Sequence, residues 1–323
     1  MSDKKPLVTH VYTADPSAHV FNGKLYVYPS HDIPTDIRDN DNGDQYAMED
    51  YHVFSLPEGI SGPVNDHGSV LHMKDVPWVG KQMWAPDAAE KNGKYFLYFP
   101  ARDKDGTSPE GPFTPDPEPI KGSYSIDPAC FVDDDGQAYL FFGGIWGGQL
   151  QCWTKGHFAK EDYESMEASG DDKPALHARV AKLTDDMHQF AEDVKEVVIL
   201  DPETKEPVKA SDHDRRFFEA AWLHKYNGKY YFSYSTGDTH YLAYGVGDSP
   251  YGPFIYGGRI LEPVLGWTTH HSIVQYQDKW YLFYHDASLS GGKNHLRCIK
   301  AREIKYDEQG KIYLAEPQGP PAS

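Results

Sequence analysis

The sequence predicts an all-β fold, a five-bladed β-propeller, and two observations lead to that prediction. The first is composition: among the 323 residues are 23 Tyr, 15 Phe, 7 Trp, 29 Gly and 24 Pro. Aromatic residues favour strands, whereas Gly and Pro favour tight turns, so many short strands are expected. The second is a hairpin-like unit that occurs five times along the chain.

Each unit begins with a polar or ionisable residue, passes a strand-like segment, turns at Asn-Gly, Asp-Gly or Gln-Asp, and returns as an alternating aromatic strand. In chain order the units span residues 15–28, 87–98, 127–142, 219–234 and 271–284. Their irregular spacing disfavours a solenoid and agrees with four-stranded blades whose outer strands and loops differ in length. A further strand at 296–304 is expected to complete the first or the last blade and to close the ring.

Charge and cysteine usage exclude several classes of function. Because 31 Lys and Arg stand against 49 Asp and Glu, the net charge is −18, which disfavours nucleic acid and membrane surfaces as partners. The three cysteines contain no Cys-x-x-Cys pair, so neither a disulfide framework nor a zinc ribbon is expected.

No linker divides the repeats, so we expect residues 1–323 to form one domain. No signal-peptide pattern follows residues 1–6, which predicts a cytoplasmic protein unless a leader has been removed.

The residues that begin the five units are candidates for a shared site. The first strand of each propeller blade lines the central channel, so these residues should converge near one axis. They are Asp15, Asp87, Asp127, Glu219 and His271. Any single Asp-Pro or Asp-Gly step is more simply explained as a turn former. Five such residues in register favour a channel site instead.

The motifs around these positions resemble those of glycoside hydrolase family 43. In chain order they read YTADPS, WAPD, SIDPA, FFEAAW and HHS, and the likeness extends over nearly the whole chain. The resemblance implies a five-bladed propeller that cleaves β-xylosides, α-L-arabinofuranosides or arabinan with inversion of configuration.

By this resemblance, Asp15 matches the general base, Glu219 the general acid, and Asp127 a third carboxylate that orients the acid and adjusts its pKa. Inverting hydrolysis requires one carboxylate to activate water and one carboxylic acid to protonate the leaving oxygen. Repulsion by the Asp127 carboxylate would keep more of Glu219 protonated near neutral pH. The alternative for each is a structural carboxylate with satisfied hydrogen bonds.

Four further residues are candidates for substrate binding. Trp84 would present an apolar plane to a sugar ring, and Trp146 would form a platform for the leaving-group sugar at the pocket rim. Arg297 matches a family arginine that reaches the pocket and pairs with a carboxylate and a sugar hydroxyl. His270 is included because it precedes His271. The alternatives are core tryptophans and a surface arginine on a strand.

His271 resembles the family's channel histidine, which implies a calcium ion on the channel axis, bound mostly through water. A neutral core histidine is the alternative.

Asp87 is expected to be structural and to cap backbone N–H groups. The acidic segment 36–50 lacks the Glu that an EF-hand loop needs at its twelfth position and predicts a solvated loop. The glycines around Trp146 precede no helix and no phosphate-loop lysine, so a nucleotide site is not expected.

The sequence therefore predicts an exo-acting enzyme that releases β-D-xylose, α-L-arabinofuranose or both from xylo- or arabino-oligosaccharides, with both sugars accepted as the first choice. The insertions at 33–51 and 157–216 are the expected walls of a blind pocket. The alternatives are an endo-arabinanase, a retaining fructan hydrolase of the same architecture, and a non-catalytic carbohydrate-binding propeller.

Overall fold

The computed structural model describes residues 5–41, 43–102, 116–163, 170, 172–267 and 269–315. Within these ranges the chain forms twenty β-strands and no α-helix. Short 3-10 helices span Met73–Asp75, Trp146–Gly148, Leu150–Trp153, Lys160–Asp162 and Gly237–Thr239. No helix in the described part is long and apolar enough to cross a membrane.

The strands form five sheets. The first sheet contains β1 (Tyr12–Phe21), β2 (Lys24–Asp32), β3 (Asp50–Leu56) and β4 (Asn65–His72). The second contains β5 (Asp87–Lys91), β6 (Lys94–Phe99) and β7 (Ala101–Arg102). The third contains β8 (Ala129–Val132), β9 (Ala138–Phe142), β10 (Ala178–Lys182) and β11 (Lys195–Val197).

The fourth sheet contains β12 (Ile199–Leu200), β13 (Glu219–Tyr226), β14 (Lys229–Ser235), β15 (Leu242–Gly247) and β16 (Phe254–Leu261). The fifth contains β17 (His271–Tyr276), β18 (Lys279–Asp286), β19 (Cys298–Tyr306) and β20 (Ile312–Leu314). Strand β12 pairs in parallel with β16, whereas the other strand pairs of the described sheets are antiparallel.

The five repeated units are the first hairpins of the five sheets. Three of their turns are Asn-Gly pairs at 22–23, 92–93 and 227–228, in which both residues have positive φ, 48–55° for Asn and 73–77° for Gly. A type I′ turn requires this conformation at both central positions, and Asn and Gly tolerate it best. The turn residues therefore determine where each hairpin reverses.

The first strands of the sheets lie side by side in a closed ring. Strand β1 contacts β5, β5 contacts β8, β8 contacts β13, β13 contacts β17, and β17 contacts β1. Sheets that follow one another around such a ring form a β-propeller, so the predicted all-β propeller is confirmed.

The first and last sheets are joined by backbone hydrogen bonds. The predicted strand at 296–304 lies within the last sheet as β19. The N–H of Leu7 donates to the carbonyl of Ile299 at 2.9 Å, and the N–H of Thr13 donates to the carbonyl of Arg297 at 3.0 Å. This junction places Arg297 beside β1.

Buried aromatic and aliphatic side chains fill the spaces between sheets. The largest cluster joins the third, fourth and fifth sheets through residues such as Phe141, Phe232 and Leu282. A second cluster joins the first two sheets around Tyr28 and Leu97. Close packing of this kind fixes side chains in single conformations, so the starts of the first strands are held rigidly.

Candidate active site

A cavity of about 270 Å³ lies near the starts of the first strands. Its lining includes all three predicted catalytic carboxylates, Asp15, Asp127 and Glu219. The four predicted substrate-binding residues, Trp84, Trp146, His270 and Arg297, line the same cavity. Side chains that are far apart in the sequence are therefore brought to one place.

Two of the carboxylates stand at irregularities in their strands. The register between β1 and β2 shifts between Ala14 and Ser17, and Asp15 has a φ of 50°. The register between β13 and β14 shifts between Glu219 and Trp222, and Ala220 has a φ of 61°. Since a bulge changes the direction of the side chains beside it, these irregularities let the carboxylates face the cavity.

Asp127 is bonded to the backbone beside Glu219. Its Oδ2 accepts a hydrogen bond from the N–H of Ala220 at 2.9 Å. Ala220 is in the left-handed region, which is unfavourable for a residue with a Cβ, so this bond helps to hold the unusual backbone. Asp127 thereby fixes the direction in which Glu219 projects.

Asp15 is held by charge-assisted hydrogen bonds. Nη1 of Arg297 donates to its Oδ1 at 3.1 Å and Nη2 donates to its Oδ2 at 3.4 Å. Ser30 donates to Oδ2 at 2.5 Å, and the backbone N–H of Asp15 donates to Nδ1 of His285 at 3.0 Å. These partners fix the carboxylate in one orientation.

Arg297 is itself fixed by Asp32, which is buried. Nε donates to Oδ2 of Asp32 at 2.9 Å, and Nη2 donates to Oδ1 at 2.7 Å. A guanidinium with two buried carboxylates is positioned by both, so Asp32 determines where Arg297 meets Asp15.

The surroundings shift the pKa values of the carboxylates in opposite directions. Burial alone would raise the pKa of Asp15, but the positive charge of Arg297, with the imidazoles of His285 and His270, lowers it to about 2. Burial, together with the charges of Asp127 and Asp15, raises the pKa of Glu219 well above its usual range. Burial also raises the pKa of Asp127. One cavity thus contains a carboxyl group with a lowered pKa, Asp15, and two with raised pKa values, Asp127 and Glu219.

Aromatic rings form part of the cavity wall. Trp146 stacks against Trp267, with ring centroids 5.7 Å apart and an interplanar angle of 24°. Nε1 of Trp84 donates to the carbonyl of Tyr46 at 3.1 Å, and the Arg297 guanidinium lies 4.8 Å from the Tyr46 ring centroid. Flat apolar surfaces beside charged groups suit the faces and hydroxyls of a sugar.

Two glycines allow the loop around Trp146 to approach the carboxylates. A Cβ at Gly144 or Gly148 would lie 2.7 Å from the side chain of Ile126, the residue before Asp127. A larger residue would displace either the loop or Ile126. These glycines therefore serve close packing.

The two insertions expected as walls behave differently. Gln45, Tyr46 and Met48 of the first insertion line the cavity, whereas Asp39 and Asp41 reach it but remain exposed. The loop at 36–50 is thus solvated in part and a wall in part. Among the described residues of the insertion at 157–216, none lines this cavity.

The other two leading residues are not among those that line the cavity. His271 is fully buried, with its Nε2 2.6 Å from the hydroxyl of Ser233, and its Nδ1 has no hydrogen-bond partner within the described part of the chain. Asp87 accepts a hydrogen bond from the backbone N–H of Cys130 and lies 2.6 Å from Nε2 of His19. Asp87 thus satisfies a backbone N–H group.

Sequence reasoning missed several residues at the cavity. Tyr46, Trp267 and His285 line it, and Asp32 lies behind it, bonded to Arg297. Trp267 stands three residues before His270, as Trp84 stands three residues before Asp87, so that spacing is a signal that could have indicated it. Asp32 carries no local motif. The pairing of β1 with β2, and the backbone hydrogen bond from Thr13 of β1 to Arg297, place it beside Arg297.

Comparisons with known proteins agree with this geometry. Residues 64–312 match the sequence profile of Glycosyl hydrolases family 43. The chain is 69% identical over 326 residues to xylosidase/arabinosidase 43A of Humicola insolens. The aligned region covers 97% of this chain and 99% of that protein.

Two solved structures are similar over nearly the whole chain. One is a β-xylosidase/α-arabinofuranosidase from a compost microbial metagenome in complex with xylotriose, in a calcium-free form, with 60% identity, a TM-score of 0.93 and 96% coverage of both chains. The other is an enzyme from Xanthomonas citri complexed with xylotriose, with 52% identity and a TM-score of 0.89, covering 97% of this chain and 94% of that one.

Proposed function

This chain belongs to glycosyl hydrolases family 43, and on that premise we propose that it is an exo-acting, inverting enzyme that releases terminal β-D-xylose and α-L-arabinofuranose from oligosaccharides. The observation that most supports this is the pair of opposite pKa shifts in one cavity, with Asp15 at about 2 and Glu219 well above its usual range. One group is thereby ready to accept a proton and the other to donate one.

In this proposal Asp15 is the general base. Its carboxylate removes a proton from the water that attacks the anomeric carbon, while Arg297 and Ser30 hold it in place. Glu219 is the general acid and protonates the glycosidic oxygen as the bond to the leaving group breaks. Asp127 orients Glu219 through Ala220, and its charge adds to the effect of burial in raising the pKa of Glu219. The anomeric configuration inverts because water attacks from the face opposite the leaving group.

The substrate proposal is supported by the relatives and by the cavity wall. The Humicola insolens relative is named for both sugars, and both similar structures contain xylotriose. Trp84, Trp146 and Trp267 offer planes for sugar rings, and His270 and Arg297 offer polar contacts. Together they support a pocket that accepts either pentose and binds xylo- or arabino-oligosaccharides.

We also propose that the whole chain is one five-bladed catalytic domain. Five sheets whose first strands contact one another in a single ring support that blade number. The third strand of the second sheet ends at residue 102, immediately before undescribed residues, so that sheet is described by three strands.

Calcium on the channel axis is the proposed cofactor. The buried Nδ1 of His271, which has no partner among the described residues, fits a hydrogen bond to a water molecule of a hydrated ion. A single imidazole is a poor direct ligand set for calcium, which prefers oxygen. Such an ion would supply positive charge on the axis, and His271 would position its water shell.

The test is release of 4-nitrophenol from the β-D-xyloside and the α-L-arabinofuranoside, measured side by side, with the product anomer followed by NMR. We expect turnover of both and inversion. Asp15→Asn should remove most of this turnover, and Glu219→Gln should remove most turnover of xylobiose, whose leaving group needs a proton, whereas Asp278→Asn, at an exposed hairpin turn, should do neither. Saturable xylotriose binding without turnover would favour a binding protein, and a retained anomer would exclude the proposed mechanism.

A further inference from the structure

Five ionisable side chains on and beside the first sheet form a chain of alternating imidazoles and carboxylates. Nε2 of His10 lies 2.7 Å from Oδ2 of Asp66, whose Oδ1 lies 3.0 Å from Nδ1 of His52. Nε2 of His52 lies 3.8 Å from Oδ2 of Asp50, and Oδ1 of Asp50 lies 2.7 Å from Nδ1 of His31. None of the five lines the catalytic cavity.

We propose that His31, Asp50 and His52 bind one divalent transition-metal ion of the zinc class, at a site separate from the channel axis. Each residue offers one ligand atom, and the three atoms lie within 4.8 Å of one another. Among the described residues, these three are the one group of histidine, cysteine and acidic side chains whose ligand atoms lie close enough together to bind a single metal ion.

The hydrogen bond from His52 to Asp66 prepares His52 as a ligand. Nδ1 of His52 faces the Asp66 carboxylate, which favours the neutral tautomer with its proton on Nδ1. In that tautomer Nε2, which lies 3.8 Å from Oδ2 of Asp50, has a lone pair available for a metal ion. The N–H of Gly68 donates to Oδ1 of Asp66 at 2.8 Å and fixes that carboxylate. A carboxylate that orients a ligand histidine in this way is a common feature of protein metal sites.

The spacing requires only small side-chain movements. Zinc binds nitrogen and oxygen ligands at about 2.0–2.2 Å, so tetrahedral ligand atoms stand about 3.4 Å apart. The present distances of 2.7 Å and 3.8 Å lie on either side of that value. An ion would replace the hydrogen bond between His31 and Asp50 and draw His52 inward.

The donor set and the exposure select the kind of ion. Two imidazole nitrogens and one carboxylate oxygen suit zinc, nickel or copper, whereas calcium prefers a set of oxygens. The exposed fractions of the side chains are 22% for His31 and 12% for Asp50 and His52. They are open enough for an ion to enter and for water to complete its coordination.

The position of the site gives the ion a structural role. His31 lies at the end of β2 and Asp50 at the start of β3, so they flank the connection that contributes Gln45, Tyr46 and Met48 to the cavity wall. A metal bound by both would hold the two ends of this loop together. It would restrict the loop without contacting the substrate.

The test is calorimetric titration of the full chain with Zn²⁺, with excess Ca²⁺ in cell and syringe to occupy the axial site. We expect one equivalent bound by the unsubstituted protein and by His67→Gln, a control on β4 that contacts Ser55 instead. His52→Gln should weaken binding at least tenfold, and Asp66→Asn by about 10–100-fold. An isotherm unchanged in His31→Gln and His52→Gln would overturn the proposal.

Anomalous diffraction from zinc-soaked crystals of the unsubstituted protein is a second test, and its result does not depend on whether the variants fold. A zinc peak between His31, Asp50 and His52 supports the proposal. Zinc peaks found only elsewhere, or no bound zinc at millimolar concentration, refute it. Zinc should also raise the melting temperature of the unsubstituted protein by a few degrees and that of His52→Gln by less.

Discussion

Oδ2 of Asp127 accepts a hydrogen bond from the N–H of Ala220 at 2.9 Å, and Ala220 directly follows Glu219. The same carboxylate also raises the pKa of Glu219 by like-charge repulsion, after burial, which is the larger cause. One side chain thus acts on the acid in two ways, by orientation and by charge. Two substitutions at Asp127 can separate these effects.

Asp127→Asn keeps an oxygen that can accept from Ala220 but removes the charge. We expect the alkaline limb of the kcat/KM profile to move to lower pH, because Glu219 then loses its proton more readily. Asp127→Ala also leaves the Ala220 N–H without its acceptor, which costs about 1–3 kcal/mol for a buried group. Its kcat should fall about tenfold below that of Asp127→Asn, and identical profiles for the two variants would contradict this account.

The assignment of acid and base predicts different dependence on the leaving group. Asp15→Asn should lower kcat/KM by about 10²–10⁴-fold on both 4-nitrophenyl xyloside and xylobiose, because water activation is needed for each. Glu219→Gln should lower it far more on xylobiose, since 4-nitrophenol leaves readily without a proton. Initial rates on both substrates measure this. Equal losses on the two substrates in Glu219→Gln would argue against its role as the acid.

Arg297 should control the acidic limb of the pH profile. Burial would raise the pKa of Asp15, but the positive charge of Arg297, with His285 and His270, lowers it to about 2, so the proposed base stays ionised at any ordinary working pH. In Arg297→Met the pKa of Asp15 should rise by about 1–3 units, and kcat/KM should begin to fall at a correspondingly higher pH. The direction of this change is set by the base, which loses activity when it is protonated.

Arg297→Lys is the matched variant for that experiment. It keeps the charge and loses the two-fold hydrogen bonding, so its acidic limb should lie between those of the unsubstituted protein and Arg297→Met. Circular dichroism must show that each variant folds, because the change leaves Asp32 with fewer partners. An acidic limb that does not move in either variant would refute this role for Arg297.

The fold was largely predictable from the sequence because its determinants are local. Asn-Gly pairs such as Asn22-Gly23 specify a turn, and alternating aromatics specify the strands on each side. The predicted site residues that line the cavity begin these hairpins or stand in motifs beside them. A leading position alone does not define a site residue, however, since Asp87 and His271 also begin hairpins yet are not among the cavity-lining residues.

The supporting residues could not be predicted in the same way. Asp32 and Arg297 are hydrogen-bonded although they lie 265 residues apart in the sequence, and Asp15 and His285 are hydrogen-bonded at a separation of 270 residues. Their roles depend on how the first and last sheets meet, which no local pattern encodes. The bulges at Asp15 and Ala220 are likewise set by tertiary hydrogen bonds, because neither residue is one that favours positive φ in the way glycine does.

Calcium removal should have a modest and reversible effect. If the Nδ1 of His271 holds the water shell of an axial ion, exhaustive chelation should lower activity or the melting temperature, and added calcium should restore it. His224→Gln is a suitable control, because His224 is another buried histidine, bonded to Tyr306, that does not begin a hairpin. Unchanged activity and melting temperature, with no ion density near His271, would remove calcium from the account.

The proposed exo action predicts attack at chain ends. Tyr46, Met48, Trp146 and Trp267 line the cavity together with the carboxylates, of which Asp15 and Asp127 are buried. A pocket accommodates a terminal sugar, whereas an endo enzyme needs a groove open at both ends. With xylopentaose or arabinopentaose we therefore expect a free pentose as the first product, and little early loss of viscosity from long arabinan. Chromatographic time courses measure this directly. Dimers and trimers that appear before any free pentose would identify the enzyme as an endo-arabinanase, with the loop at 33–51 forming one side of a groove.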